Sequence, residues 1–236
     1  MKCLGVVPIA AAAVVGCGAS GSSASDNGEG AKSATQTISD AVSCLRSAQS
    51  VHIKGDLTQS GQRLFFDGDT GSGATIAGNF MLGGLTFRLV TVGGRSYLDG
   101  DQGFWTQLAG APAAGRYAGK WVAIPSGSAA NQITAGVTQI TDYKAYAASL
   151  ANNANASFTK NANTVTPDGR LAVSLMSTDG TVYISRTGSA CPIYVTIVST
   201  GTTGYIAFSH FNSAGGITPP PNAIEIATPP ATTPSP

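Results

Sequence analysis

Residues 51–58 read Val51-His52-Ile53-Lys54-Gly55-Asp56-Leu57-Thr58, with Val51, Ile53 and Leu57 alternating against His52, Lys54, Asp56 and Thr58. A period of two belongs to a strand with one buried and one wetted face. Just upstream the period is different. Ile38, Ala41, Val42, Leu45 and Ala48 recur at helical spacing, so 35–49 is expected to form an amphipathic helix. The change of period near residue 50 therefore marks the start of a sheet. Downstream, strands are expected at about 63–70, 74–82, 85–92 and 95–99, separated by the turn signals Ser60-Gly61, Gly71-Ser72-Gly73, Gly83-Gly84 and Gly93-Gly94. Spacing this close demands antiparallel hairpins, because a parallel crossover needs about a dozen residues or more.

Phe104-Trp105-Thr106 and Lys120-Trp121-Val122-Ala123-Ile124 read as further short strands, with 111–118 as a turn or short helix between them. Thr141-Asp142-Tyr143 then opens a second helix, capped by Thr141, with Tyr143, Tyr146, Ala147 and Leu150 on its apolar face. Strands resume at about 164–166, 170–177, 181–186, 193–199 and 203–210, and Asp168-Gly169 and Asp179-Gly180 have tight-turn composition. Helix, strands, helix, strands is an α+β order. The expected architecture is a curved antiparallel β half-barrel with helices covering the concave face, where alone their apolar stripes can be buried. This domain spans 35–227, and the Pro/Thr-rich tail 228–236 is expected to be disordered.

The N-terminus carries a different kind of information. Met1-Lys2 precedes an apolar run from Cys3 to Val15, the layout of a secretory signal peptide and too short to span a bilayer, which needs ~20 apolar residues. The run closes Val14-Val15-Gly16-Cys17, which resembles a bacterial lipobox: a small residue gives a peptidase access to the bond, and the next residue offers a thiol for a lipid. On this reading 1–16 is removed, Cys17 is the lipid anchor and 17–34 is a Gly/Ser-rich tether. The competing reading is an ordinary signal peptide cut at Ala11 to Ala13, with Cys17 incidental.

Charge narrows the function classes. Lys+Arg is 13 and Asp+Glu 12, and losing Lys2 with the signal leaves 12 against 12. A neutral chain without a basic run argues against nucleic acid as a partner, and it leaves lipid rather than a polybasic patch to hold the protein to a membrane. Catalysis and metal chemistry lack their usual signatures. The two histidines, His52 and His210, fall in expected strands with no nucleophile motif beside them, and no cofactor or metal-ligand spacing is present. An enzyme is not expected. Trp105 and Trp121 fit a core as readily as a ligand wall. Of the four cysteines, Cys44 and Cys191 remain in the mature domain. In an oxidising compartment such a pair reads as a disulfide with Cα atoms ~4.4–6.8 Å apart; the other reading is two buried thiols.

Several phrases, in order, resemble a known family. They are Ser50-Val51-His52-Ile53-Lys54-Gly55 at the first strand, Tyr97-Leu98-Asp99-Gly100 before Phe104-Trp105, Gly119-Lys120-Trp121-Val122, and Phe208-Ser209-His210-Phe211 before Ile217-Thr218-Pro219-Pro220. With the lipobox and tether, this set resembles the LppX/LprAFG-type lipoproteins of mycobacteria and related actinobacteria, which share a LolA/LolB-like half-barrel. The resemblance implies a lipid or lipoglycan carrier, lipid-anchored on the extracytoplasmic face of the cell membrane, with a greasy cavity between sheet and helices. Alternation alone would line that cavity with Ile53, Leu57, Phe66, Ile76, Phe80, Phe87, Leu89, Val173 and Leu175. The alternative is an envelope lipoprotein with a solid core whose surface binds another envelope protein.

Overall fold

Ser33 ends an extended approach and starts the first helix. Its hydroxyl accepts from the Gln36 amide while the Gln36 side chain accepts from the Ser33 amide, so two otherwise orphaned donors are satisfied together. Helix α1 (Ala34–Ser47) buries Ile38, Ala41, Val42 and Leu45 along one stripe. A computed structural model of the chain describes residues 25–154 and 157–226. The expected signal peptide 1–16, the anchor Cys17 and the tail 228–236 lie outside the described residues.

After α1 the chain lays down β1 (Ser50–Gln59), β2 (Gln62–Gly71), β3 (Thr75–Leu82), β4 (Leu85–Val92) and β5 (Arg95–Gly100) as successive hairpins. The β1–β2 turn needs two residues at positive φ, and Ser60 (50°) and Gly61 (79°) supply them. Three helices follow around a short strand: α2 (Gln102–Ala109), α3 (Ala111–Tyr117), β6 (Val122–Ile124) and α4 (Ala129–Ile140), with α5 (Tyr143–Asn152) directly after. The second meander is β7 (Thr159–Val165), β8 (Leu171–Ser177), β9 (Gly180–Ser185), β10 (Pro192–Ser199) and β11 (Thr202–Ser209). β11 returns to pair with β1, Ile53 opposite Phe208. The result is one curved sheet of 12 strands, ordered β12-β6-β5-β4-β3-β2-β1-β11-β10-β9-β8-β7. Its pairings are antiparallel except for the two-residue β12 (Ile224–Glu225), which runs parallel to β6.

The expected α+β half-barrel is what forms. The inner face carries Val51, Ile53, Leu57, Phe66, Ile76, Phe80, Phe87 and Leu89, and these share one core with Leu45 of α1, Phe104 and Trp105 of α2, Val137 of α4 and Ala147 of α5. Gly55 also faces inward. A Cβ there would lie 2.2 Å from the ring of Phe66, so the missing side chain is what lets that ring lie flat on β1. The convex face holds the polar alternation, including the Asp56–Arg63 pair and Lys54 beside Asp67. Among the described residues no helix is long and apolar enough to cross a membrane.

Four local expectations need correction. Phe104-Trp105-Thr106 is helical: Asp101 accepts from the Phe104 amide at 2.7 Å and starts α2, which buries the two aromatics side by side against the sheet. Helix α4 was not foreseen, because its buried stripe of Ala130, Thr134 and Val137 is too small and too polar to stand out. Thr141 is not the cap of the next helix. Its hydroxyl donates back to the Val137 carbonyl at 2.8 Å, while Asp142 caps α5 by accepting from Lys144 and Ala145. The tether also ends earlier than residue 34. Asp26 bridges to Thr187, Asn27 donates to the Ser185 and Gly188 carbonyls, and Glu29 is buried beside Lys32. Asp40 and Glu29 together push the Lys32 ammonium up to about 12.

Candidate ligand cleft

One wall of the candidate site is α5. Its position is set by α1, because Tyr143 Oη donates to the Ala48 carbonyl at 3.0 Å and Lys144 Nζ donates to Leu45, Arg46 and Ala48 carbonyls at 3.1, 2.6 and 2.7 Å. The lysine thus satisfies carbonyls that α1 leaves open at its C-terminal end and complements the negative end of its dipole. α1 is in turn fixed to the sheet by a disulfide between Cys44 and Cys191, Cα atoms 5.2 Å apart, as the cysteine count suggested.

The opposite wall is the inner face of β9 and β10 with the β8–β9 turn. Ile197 of β10 sits opposite Gly180 of β9 on one side and Gly204 of β11 on the other. Gly180 lines the wall beside Ile197 without adding a side chain to it, and both glycines sit at positive φ where a Cβ would strike the adjacent strand's backbone. Between the two walls is a cleft of about 510 Å³. That lies within the ~300–1,000 Å³ of ordinary ligand pockets. Its apolar surface comes from Tyr146, Leu150, Phe158, Val182, Val195 and Ile197, and its polar residues are chiefly Ser, Thr and Asn with Asp179. The Tyr146 ring packs 5.3 Å from that of Phe208, and burial holds its phenol well above the ordinary range, so it stays neutral.

The nine residues expected to line a cavity are placed inward and buried, but none of them lines this cleft. Ile53, Leu57, Phe66, Ile76, Phe80, Phe87 and Leu89 are packed into the main core under α2 to α5. Leu175 belongs to a second cluster with Ile38, Val42 and Ile184, and Val173 is fully buried. The cause is the helix count: the sequence showed two helices and a turn or short helix at 111–118, whereas five α-helices stand among the described residues, and α2 and α4 fill the half of the concavity that would have been open. The cleft lies in the other half. The one signal nearby is Gly180, which lines the cleft and reads in sequence only as part of the Asp179-Gly180 turn.

Neither tryptophan approaches the cleft. Trp105 is core, edge-on to Phe104 and beside Tyr117, and Trp121 lies on the convex side under the Arg88 guanidinium at 5.0 Å. His52 and His210 are edge to face at 5.6 Å, with the His52 ring between Asp69 at 2.9 Å and Asp67 at 3.1 Å. Among the described residues no group of three or more His, Cys, Asp or Glu side chains could hold a metal ion.

An open, curved antiparallel half-barrel with a helical cover is an LppX/LprF-type fold. Among solved structures, LprF from Mycobacterium bovis is similar at a TM-score of 0.58 and 14% identity, over 79% of this chain and 96% of that one. The Mycobacterium tuberculosis lipoprotein LppX is matched at a TM-score of 0.47 and 15% identity, over 78% of this chain and 98% of that one. No family model matches the sequence, and no curated protein matches it either.

Proposed function

We propose that this protein is a non-enzymatic cell-envelope lipoprotein, anchored through lipid on Cys17, that binds lipid in the cleft between α5 and β8–β10. The observation that carries the reading is the cleft itself: apolar walls of Leu150, Phe158, Val182 and Ile197, open to solvent, in a fold shared with LprF. Burying an acyl chain there is worth ~0.8 kcal/mol per methylene removed from water. A carrier needs such a site to be reachable, and the cleft is open at its rim rather than sealed in the core. The test is native mass spectrometry of the protein purified from its own host, with Ile197→Trp as the filled-cleft control. A co-purifying lipid, lost in the variant, is expected. A clean apo mass in the wild type would favour the second reading, an interaction lipoprotein, which the solid packing beneath α2 to α4 supports for that half of the molecule.

A further inference from the structure

The cleft's size and lining restrict its ligand, and the restriction rests on the lipid-binding reading above. We infer that it takes a lipid with one acyl chain and an uncharged, hydroxyl-bearing head, of the monoacylglycerol type.

Size limits the chain number. At roughly 30 Å³ per water-sized group, a methylene among them, a volume of about 510 Å³ holds about 17 such groups. That is one ordinary acyl chain with little to spare. A second chain would have to enter the half of the concavity that Phe66, Phe80, Phe87 and Trp105 already fill, and close packing there leaves no room without displacing helices.

The rim limits the head. Among the described lining residues Asp179 is the one charged group, with no lysine or arginine. Its carboxylate has no ion-pair or hydrogen-bond partner among the described residues, since the bonds at this residue are made by its backbone. A phosphate or carboxylate head would meet a bare negative charge and no cation, whereas anion sites are built from Arg, Lys or convergent amides. The remaining polar lining, including Ser149, Asn153, Ser177, Thr178 and Ser199, can donate and accept, which suits hydroxyls. One exposed carboxylate is too strongly screened to select an amine over these.

The experiment uses the mature-length chain, residues 18–236, stripped of lipid and titrated with monooleoylglycerol, dioleoylglycerol, oleoyl lysophosphatidic acid and oleylamine, with bound mass read by native mass spectrometry. Monooleoylglycerol is expected to bind one to one. Dioleoylglycerol and lysophosphatidic acid are expected to bind about tenfold more weakly, the latter because its phosphate would give up water at a rim that offers no cation in return. Asp179→Lys, a change at an exposed turn, should reverse the preference between monooleoylglycerol and lysophosphatidic acid. Equal binding of dioleoylglycerol overturns the single-chain limit. Lysophosphatidic acid or oleylamine binding as well as monooleoylglycerol, or a preference unmoved by Asp179→Lys, overturns the head assignment. In those cases lipid binding itself survives. If no lipid binds and Ile197→Trp changes nothing, the lipid-binding reading fails with it.

Discussion

Cys44 and Cys191 close a loop of 147 residues. On the chain-entropy account such a closure restrains the unfolded chain by about 4–5 kcal/mol, with measured gains often smaller. Replacing both cysteines by Ala is expected to lower the unfolding free energy in urea by an amount within that limit, and the folded oxidised protein should show no titratable thiol at these positions. A thiol signal from the native state would contradict the bond. A subtler residue effect is at Asp56, whose carboxyl is held below its ordinary 3.8 by hydrogen bonds from Arg63 at 2.8 and 2.5 Å. A depressed carboxyl contributes stability above its unfolded value and loses it as pH falls through the folded one. Asp56→Asn should therefore cost at most about 1 kcal/mol at neutral pH, as for a surface pair. The difference should vanish in acid; one that persists would mean packing rather than charge. The partner was invisible in sequence because Asp56, opposite Phe65, and Arg63, opposite Thr58, meet only diagonally across the β1–β2 hairpin.

At the scale of elements, α2 shows how tertiary context overrides local appearance. Phe104-Trp105-Thr106 has strand composition, yet Asp101 caps a helix and both rings are buried, Trp105 at 2% exposure. Trp105→Ala should cost about 3–5 kcal/mol in chemical denaturation, the range for emptying a large core site; a loss below about 1 kcal/mol would mean the helix does not cover the core. The N-terminal strap makes a second prediction. Lys160 Nζ donates to the Glu29 and Gly30 carbonyls, at 2.9 and 3.2 Å, and to the Lys32 carbonyl, and burial pulls this ammonium below its ordinary range. A chain beginning at residue 32 is expected to melt several degrees below one beginning at residue 25, because the lysine then loses two of three acceptors while remaining partly buried. Equal melting temperatures would show that the strap adds nothing to the fold.

For the whole molecule, the strap would set how the domain meets the anchor proposed at Cys17. From Cys17 to Asp26 is nine residue steps, a reach of at most about 30 Å. With lipid on Cys17, the β9–β10 end of the domain, where Asp26 meets Thr187, is held within that distance of the membrane surface. The cleft opens at the other end of β9, by Gly180. Cys17→Ala is expected to move the protein from the detergent phase to the soluble or unprocessed fraction. Persistence in the detergent phase would count against the lipobox.

The sequence determined by itself the alternation at Val51 to Thr58, the α1 stripe, the hairpins of both meanders and hence the α+β sheet, because periods of two and 3.6 are local consequences of burying one face. It also determined which side chains point inward. What fills the concavity was decided only in three dimensions. Whether Phe66 and Phe80 line a space or a solid core depends on α2 and α4 arriving from elsewhere in the chain, and no local pattern records that. The cleft likewise depends on tertiary placement: Tyr146 and Leu150 of α5 come to face Val182 and Ile197 of strands far along the chain, a meeting that only the folded molecule creates.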